Sequence, residues 1–111
     1  MPERRKYKHV PFLADVTVVD VAENTRHAGQ CVNLCRGGMG LFCKRFIPPE
    51  RQIRIHMRLP GSGGASQETL EARVAWAKAE DGGALMGAAF ERELSPSTHP
   101  ELCERLDNRD I

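Results

Sequence analysis

The sequence predicts an all-β fold with one C-terminal helix, arranged as a small six-stranded antiparallel β-barrel. Six short segments rich in β-branched or alternating apolar residues are separated by turn signals, which is typical of a barrel or sandwich. One segment with helical spacing follows them. The 111 residues provide for a single domain, because two domains would each be too small to sustain a hydrophobic core.

The first three predicted strands span residues 12–21, 26–34 and 39–46. β-branched residues dominate the first strand. One face of the second strand is predicted to consist of Ala28, Gln30, Val32 and Leu34. Two adjacent glycines, Gly37 and Gly38, separate the second strand from the third. The third strand ends before Pro48, since proline cannot donate to a strand ladder.

The fourth predicted strand, residues 52–59, has the clearest pattern in the chain, because apolar and polar residues alternate throughout it. A loop rich in glycine and serine follows at residues 60–64. The inward face of the fifth strand is predicted to consist of Leu70, Ala72, Val74 and Trp76. A hairpin turn at residues 81–83 leads to the sixth strand, residues 85–91.

The last segment predicts a helix of about 8–10 residues, too short to be stable unless it docks on the sheet. Thr98 and Glu101 have the spacing of a capping box, and Pro100 is tolerated in a first helical turn. The apolar stripe consists of Leu102, Cys103 and Leu106. We therefore divide the chain into a basic N-terminal arm (1–11), a barrel (12–94) and a helix with a tail (95–111).

The formal net charge of +1 conceals an uneven distribution. Residues 1–58 carry eleven Lys and Arg against five Asp and Glu, a balance of +6, whereas residues 59–111 carry five against ten, a balance of −5. Twelve of the sixteen cations are Arg, whose planar guanidinium suits phosphates and guanine edges. One interpretation is an ordinary mixed surface that is unevenly divided; the other is an N-terminal half that binds an anion.

The cysteines and histidines do not form a recognisable metal motif. Cys31, Cys35, Cys43 and Cys103 include no C-x-x-C pair, so a zinc site would have to recruit His27, His56 or His99. We interpret the cysteines as ordinary reduced thiols and expect no metal and no cofactor.

Several classes of function are disfavoured. No apolar run is long enough to span a membrane, and the charged start lacks the apolar core of a secretory signal, so we expect a cytoplasmic protein without a membrane partner. The chain has no nucleophile elbow and no phosphate-binding loop, so we do not expect an enzyme. Only 5% of the residues are aromatic, which leaves few platforms for stacking bases, so we expect no DNA or RNA partner.

Two features point to a ligand. Residues 3–9 carry four cations and one anion before the first strand. Residues 33–41 end the second strand in a turn that contains three glycines, and glycine lets a ligand approach the backbone closely. A basic arm opposite such a junction would clamp a phosphorylated ligand that carries guanine.

These segments resemble the two motifs of the PilZ domain family, the small bacterial receptors for cyclic di-GMP. The family combines an N-terminal R-x-x-x-R, usually after another Arg, with a downstream [D/N]-x-S-x-x-G; the corresponding segments here are residues 3–10 (ERRKYKHV) and 33–38 (NLCRGG). Residues 72–76 (ARVAW) and 86–90 (MGAAF) are similar to the late strands of the family. The resemblance implies a six-stranded barrel with a helix, in agreement with the strand count.

The resemblance also implies roles for individual residues. Arg5 would face the Hoogsteen edge of guanine and the phosphate, and Arg4 would be the additional Arg that in some members accompanies a stacked ligand dimer. Asn33 would bind the guanine or fix the turn, and Gly38 would permit the backbone approach. Arg36 would add charge.

Two positions depart from the family pattern. His9 stands where the family has the second Arg, and Cys35 where it has Ser. An imidazole offers fewer donors than a guanidinium, and a thiol is a weaker donor than a hydroxyl. Lys8 is the cation that would replace the missing charge.

The leading hypothesis is a cyclic di-GMP receptor that orders its arm over the ligand and signals to an unidentified protein partner. The alternative is a degenerate PilZ-like domain that binds no nucleotide and acts as an adaptor in type IV pilus, motility or biofilm control. Since residues 1–111 include no output domain, we expect the signal to pass to a separate chain.

Overall fold

The computed structural model describes residues 9–59 and 66–109 and shows a closed barrel of six antiparallel strands followed by one helix. The strands are β1 (Val10–Asp20), β2 (Thr25–Cys35), β3 (Gly38–Cys43), β4 (Gln52–Leu59), β5 (Ser66–Glu80) and β6 (Gly83–Phe90), and the helix is α1 (Pro100–Arg109). The predicted fold class is therefore confirmed. In this part of the chain, no helix is long and apolar enough to cross a membrane.

The strands follow one another around the barrel in the order β1-β2-β3-β6-β5-β4, and the pairing of β1 with β4 closes it. Since all neighbours are antiparallel, one end of the barrel collects the start of β1, the β2–β3 turn, the start of β5 and the end of β6. His9, before β1, and the C-terminal segment after β6 adjoin the barrel at this same end.

The core occupies the barrel interior, and β4 shows how the sequence builds it. Every apolar residue of the predicted alternation in β4 is fully buried: Ile53, Ile55, Met57 and Leu59. The polar residues between them face outward, as the period of two requires. Asp20 is the buried charged residue among those described, and it accepts a hydrogen bond from Arg51 at 2.8 Å.

The predicted faces of β2 and β5 are wrong in part, and both errors have the same cause. The register of β2 against β3 shifts between Cys31 and Asn33. Of the predicted face, Leu34 is therefore buried beyond the shift, whereas Gln30 before the shift is exposed and its neighbour Cys31 is buried instead. The register of β5 against β6 shifts between Val74 and Trp76. An extra residue in one strand reverses which side the following side chains face, so Trp76 points outward although Val74 is buried.

The apolar stripe of α1 docks as predicted. Leu102, Cys103 and Leu106 are buried and belong to the same core cluster as the strands. Burial of this stripe against the barrel stabilises a helix of ten residues that would be marginal alone.

The predicted capping box is not formed. The helix begins at Pro100, and the Thr98 hydroxyl bonds within the preceding turn. The Glu101 carboxylate turns towards its neighbours instead, accepting from Ser66 Oγ at 3.1 Å and from Arg105 Nη2 at 2.8 Å. Glu101 therefore links the helix to β5.

Candidate functional site

A row of four residues crosses four strands on the outer face of the barrel. Asn33 of β2 pairs with Gly40 of β3, Gly40 pairs with Gly87 of β6, and Gly87 pairs with Trp76 of β5. With adjacent strands about 4.8 Å apart, the path along the curved sheet between the two flanking Cα atoms is about 14 Å. The two glycines thus form a floor without side chains, bordered by an amide and an indole.

The flanking side chains use the space that the glycines leave. A Cβ atom on Gly40 would lie 2.8 Å from Asn33 Oδ1 and 2.9 Å from Asn33 Nδ2, so the amide lies flat against β3. A Cβ atom on Gly87 would collide with Nε1 of Trp76 and lie 2.7 Å from Cε2, so the indole lies against β6. Both positions require glycine for this geometry.

The row lies within an open cleft of about 300 Å³. Its lining residues are His9, Asn33, Met39, Gly40, Trp76 and Gly87. A second cleft, of about 270 Å³, lies across β1, β4 and β5 and includes Asp15, His56 and Arg58. Two described residues of the predicted motifs, His9 and Asn33, line a cleft. For both of them it is the first cleft, which contains the row.

Three residues of the predicted site contact one another. Asn33 Oδ1 accepts from the backbone N–H of Gly40 at 2.9 Å and lies 3.1 Å from Nδ1 of His9. The other ring nitrogen of His9, Nε2, lies 3.4 Å from Sγ of Cys35. The structure therefore brings together His9, from the first motif, with Asn33 and Cys35, from the second.

A second row of paired residues, beside the first, contains Cys35 and Gly38. Gly38 pairs with Cys35 on one side and with Ala89 on the other. A Cβ atom on Gly38 would collide with the carbonyl oxygen of Ala88, so the close approach that this glycine permits is that of β6. Arg73 pairs with Ala89 at the far end of this row.

Trp76 is the residue of the cleft whose position we did not predict from the sequence, where it was assigned to the core. Its side chain is 51% exposed, and it is the only tryptophan in the chain. The cluster of small residues at 87–89 is the sequence signal that indicates space for a large side chain such as Trp76. The strand pairing that places Trp76 over Gly87 becomes visible only in the structure.

Arg36 lies in the turn between β2 and β3, where it contacts the C-terminal segment. Its guanidinium lies 3.2 Å from Oδ1 of Asp107 in α1 and donates to the Leu94 carbonyl at 3.5 Å. The Arg36 carbonyl accepts from the backbone N–H of Leu94 at 2.8 Å. The turn of the second motif is therefore attached to the helix by side chain and backbone.

All four cysteines lie in the described part of the chain, where they are buried and unpaired. Burial raises the pKa of Cys31 to about 12 from the ordinary 9.0, and it also raises the pKa of Cys43 and of Cys103. Among the described residues, no three His, Cys, Asp or Glu groups are placed to hold a metal ion.

The remaining predicted site residues, Arg4, Arg5 and Lys8, lie outside the described residues. His9 directly precedes β1 and lies at the edge of the cleft. This position makes His9 the root of the arm.

Comparison with known proteins places this geometry in a family. The PilZ domain profile matches residues 3–106. None of the curated proteins matches the sequence. Among solved structures, the PilZ domain of Escherichia coli YcgR with cyclic di-GMP is similar over 97% of this chain and 92% of its own, with a TM-score of 0.69 and 15% identity.

Two longer structures are similar over a part of their length. The Bacillus subtilis inhibitor of motility, MotI (DgrA), is similar over 96% of this chain and 52% of its own, with a TM-score of 0.68 and 16% identity. E. coli YcgR in complex with cyclic di-GMP is similar over 96% of this chain and 46% of its own, with a TM-score of 0.61 and 17% identity. The chain thus spans about half the length of these two. Since the family match covers most of the sequence, the chain belongs to the PilZ domain family.

Proposed function

We propose that this chain is a receptor for cyclic di-GMP that holds the dinucleotide between Asn33 and Trp76, under its basic N-terminal arm. The observation that carries the proposal is the cleft itself, in which the half-exposed indole of Trp76 and the amide of Asn33 border a floor of two glycines, with His9 at its edge. The proposed site consists of Arg4, Arg5, His9, Asn33, Cys35 and Gly38, with Lys8 as an additional cation.

The cleft supplies groups that suit a guanine base. The exposed indole of Trp76 offers a face for stacking, which contributes about 1–3 kcal/mol per base in nucleic-acid complexes. Arg5 would donate to O6 and N7 of guanine or to the phosphate, and Arg4 would neutralise further phosphate charge. Binding and release of the ligand involve no chemical step.

We further propose that the turn between β2 and β3 passes the signal to α1 and to a partner protein. Arg36 supports this role, since it belongs to the second motif and contacts both Leu94 and Asp107. Ligand contacts at Asn33, in the same motif as Arg36, would therefore bias the position of the helix. The similarity to the B. subtilis inhibitor of motility supports a partner in motility control.

Titration with cyclic di-GMP tests the proposal, by calorimetry and by the emission of the single tryptophan. We expect saturable heat and quenching of Trp76 in the wild type, and loss of both in Arg5→Ala, because each charge-assisted hydrogen bond contributes about 1.5–3 kcal/mol. Arg58→Ala is the matched control, since it removes one exposed arginine from the second cleft. Absence of heat and of NMR shifts at millimolar ligand would refute the proposal.

The second candidate is an adaptor that has lost its ligand, and a specific contact favours it. Both ring nitrogens of His9 are engaged by Asn33 and Cys35, whereas the arginine of the family pattern would offer five donors. The double variant His9→Arg with Cys35→Ser restores both family motifs. A silent wild type together with a double variant that binds would assign the adaptor function instead.

A further inference from the structure

The two departures from the family pattern, His9 and Cys35, are in contact with each other through a chain of hydrogen bonds. The direction of every bond follows from one backbone donor. The N–H of Gly40 can only donate, so the atom of Asn33 that it meets at 2.9 Å is the amide oxygen. Nδ1 of His9 lies 3.1 Å from that same oxygen and must therefore carry a proton.

The second nitrogen of His9 then has a defined role. A neutral imidazole has one N–H, so when Nδ1 is protonated Nε2 is an acceptor. The group that it faces at 3.4 Å is the Cys35 thiol, which donates to it. The order of donation is thus from Cys35 to His9 and from His9 to Asn33.

This series of hydrogen bonds leaves one group of Asn33 available to a ligand. The amide oxygen already accepts two hydrogen bonds, whereas Nδ2 has no hydrogen-bond partner in the described part of the chain. No buried side-chain nitrogen or oxygen of the described residues lacks a partner, so Nδ2 is an exposed atom. Asn33 lines the cleft, and Nδ2 is therefore open to it. Asn33 therefore presents a donor.

We propose that His9 and Cys35 are positioning residues, which hold the Asn33 amide with its Nδ2 donor towards the cleft, and that the ligand group bound there is an acceptor. The inference rests on the proposed function and changes the role of the two residues, which act through Asn33 without contacting the ligand. N7 and O6 of guanine are both acceptors, whereas adenine places its N6 amino donor beside N7. A donor at this position therefore fits N7 or O6 on the Hoogsteen edge of guanine and does not fit the N6 amino group of adenine.

The tautomer of His9 tests the chain of hydrogen bonds without any ligand. Long-range ¹⁵N–¹H NMR spectra of the wild type, recorded where the ring signals show the neutral form, should show the proton on Nδ1. Free histidine prefers the proton on Nε2, so the expected result differs from that of an unconstrained ring. A proton on Nε2 would overturn the inference. Because this measurement uses no nucleotide, its failure is distinct from a failure of the wild type to bind cyclic di-GMP, which would refute the proposed function.

Affinities of paired variants test whether the residues act through Asn33. Cys35→Val and His9→Phe should each weaken cyclic di-GMP binding about two- to tenfold, the equivalent of one hydrogen bond. Cys35→Ser keeps a donor to Nε2 and should bind as the wild type does. In an Asn33→Ala background neither Cys35→Val nor His9→Phe should reduce the affinity further, because the residue through which they act is gone. Additive losses would show direct contacts with the ligand and would overturn the positioning role.

Asn33→Asp tests the direction of the last bond. The carboxylate still accepts from Gly40 and His9, so the local structure is retained, but it has no donor for the ligand. We expect a loss of affinity of about tenfold or more, with an unchanged melting temperature. The family pattern allows Asp or Asn here, so unchanged or tighter binding is a clear contrary result, and it would show that Asn33 accepts from the ligand.

Discussion

At the scale of single residues, the cleft depends on positions where a side chain is missing. Gly87 and Gly40 form its floor, and the indole of Trp76 and the amide of Asn33 lie in the space that their side chains would occupy. Gly38 differs from both, because a side chain there would meet the backbone of β6, which cannot swing away. The three glycines therefore have distinct roles, two in the shape of the cleft and one in the packing of β3 against β6.

Gly87→Ala should displace Trp76 while costing little stability. The added Cβ would overlap the indole, and a side chain that is half exposed can move into solvent. We expect a red shift in the emission of the single tryptophan and a loss of cyclic di-GMP affinity of about tenfold, since one stacked base contributes about 1–3 kcal/mol.

Gly82→Ala is the control for this substitution and should show the opposite behaviour. Its added Cβ meets nothing within 4 Å, but the backbone φ of +78° strains any residue other than glycine. It should lower the free energy of unfolding by about 1–2 kcal/mol and leave the emission of Trp76 unchanged. An unshifted emission in Gly87→Ala would contradict the packing of the indole on β6.

At the scale of elements, period-two alternation predicts a strand well where the strand is regular. The bounds of β4 agree with the prediction at both ends, and its apolar residues all face the core. β2 and β5 were predicted as strands, but parts of their faces were assigned wrongly because each contains a register shift. The shift depends on how a partner strand pairs, so a single sequence does not reveal it. Both shifts border the cleft, at Asn33 and Trp76. The sequence indicated Asn33 through its motif, whereas the face of Trp76 was inferred from the alternation that the shift interrupts.

The attachment of α1 to β5 should weaken in acid. Hydrogen bonds from Arg105 and Ser66 hold the pKa of Glu101 below its ordinary 4.5. A carboxyl group with a lowered pKa in the folded state contributes stability above its unfolded pKa, and this contribution is lost as the pH falls through the folded value. Melting temperatures of the wild type should therefore decrease more steeply below pH 4.5 than those of Glu101→Gln. Glu104→Gln, an exposed change on the same helix, should keep the steep pH dependence of the wild-type melting temperature. If the melting temperatures of the wild type and of Glu101→Gln fell equally steeply with pH, the proposed stabilisation of the helix by Glu101 would be contradicted.

At the scale of the whole molecule, the closed barrel brings distant parts of the sequence to one end. The root of the arm at His9, the turn at Arg36 and the C-terminal segment at Leu94 all lie there, although they are far apart in the chain. The barrel and the helix could be predicted from the sequence, and the two motifs could be recognised in it, because all of these depend on local patterns. It did not predict that Arg36 contacts α1, since that contact depends on how the chain closes.

Closure of the barrel also governs its behaviour in alkali. Cys31 is fully buried in β2, and burial raises its pKa to about 12, whereas an unfolded thiol titrates near 9.0. Between these values the unfolded state loses a proton that the folded state retains, so the raised pKa lowers the free energy of unfolding as the pH increases. Without free sheet edges, Cys31 is expected to ionise only when the barrel opens as a whole.

Cys31→Val, of similar volume, tests this expectation. Denaturant unfolding from pH 9.0 upwards should show a smaller loss of stability in the variant than in the wild type, because the other alkaline titrations are common to both. Cys43 and Cys103, whose pKa values are also raised by burial, should leave a residual decrease in the variant. Parallel curves would mean that the Cys31 thiol ionises within the folded barrel, and the interior would then be accessible without global unfolding.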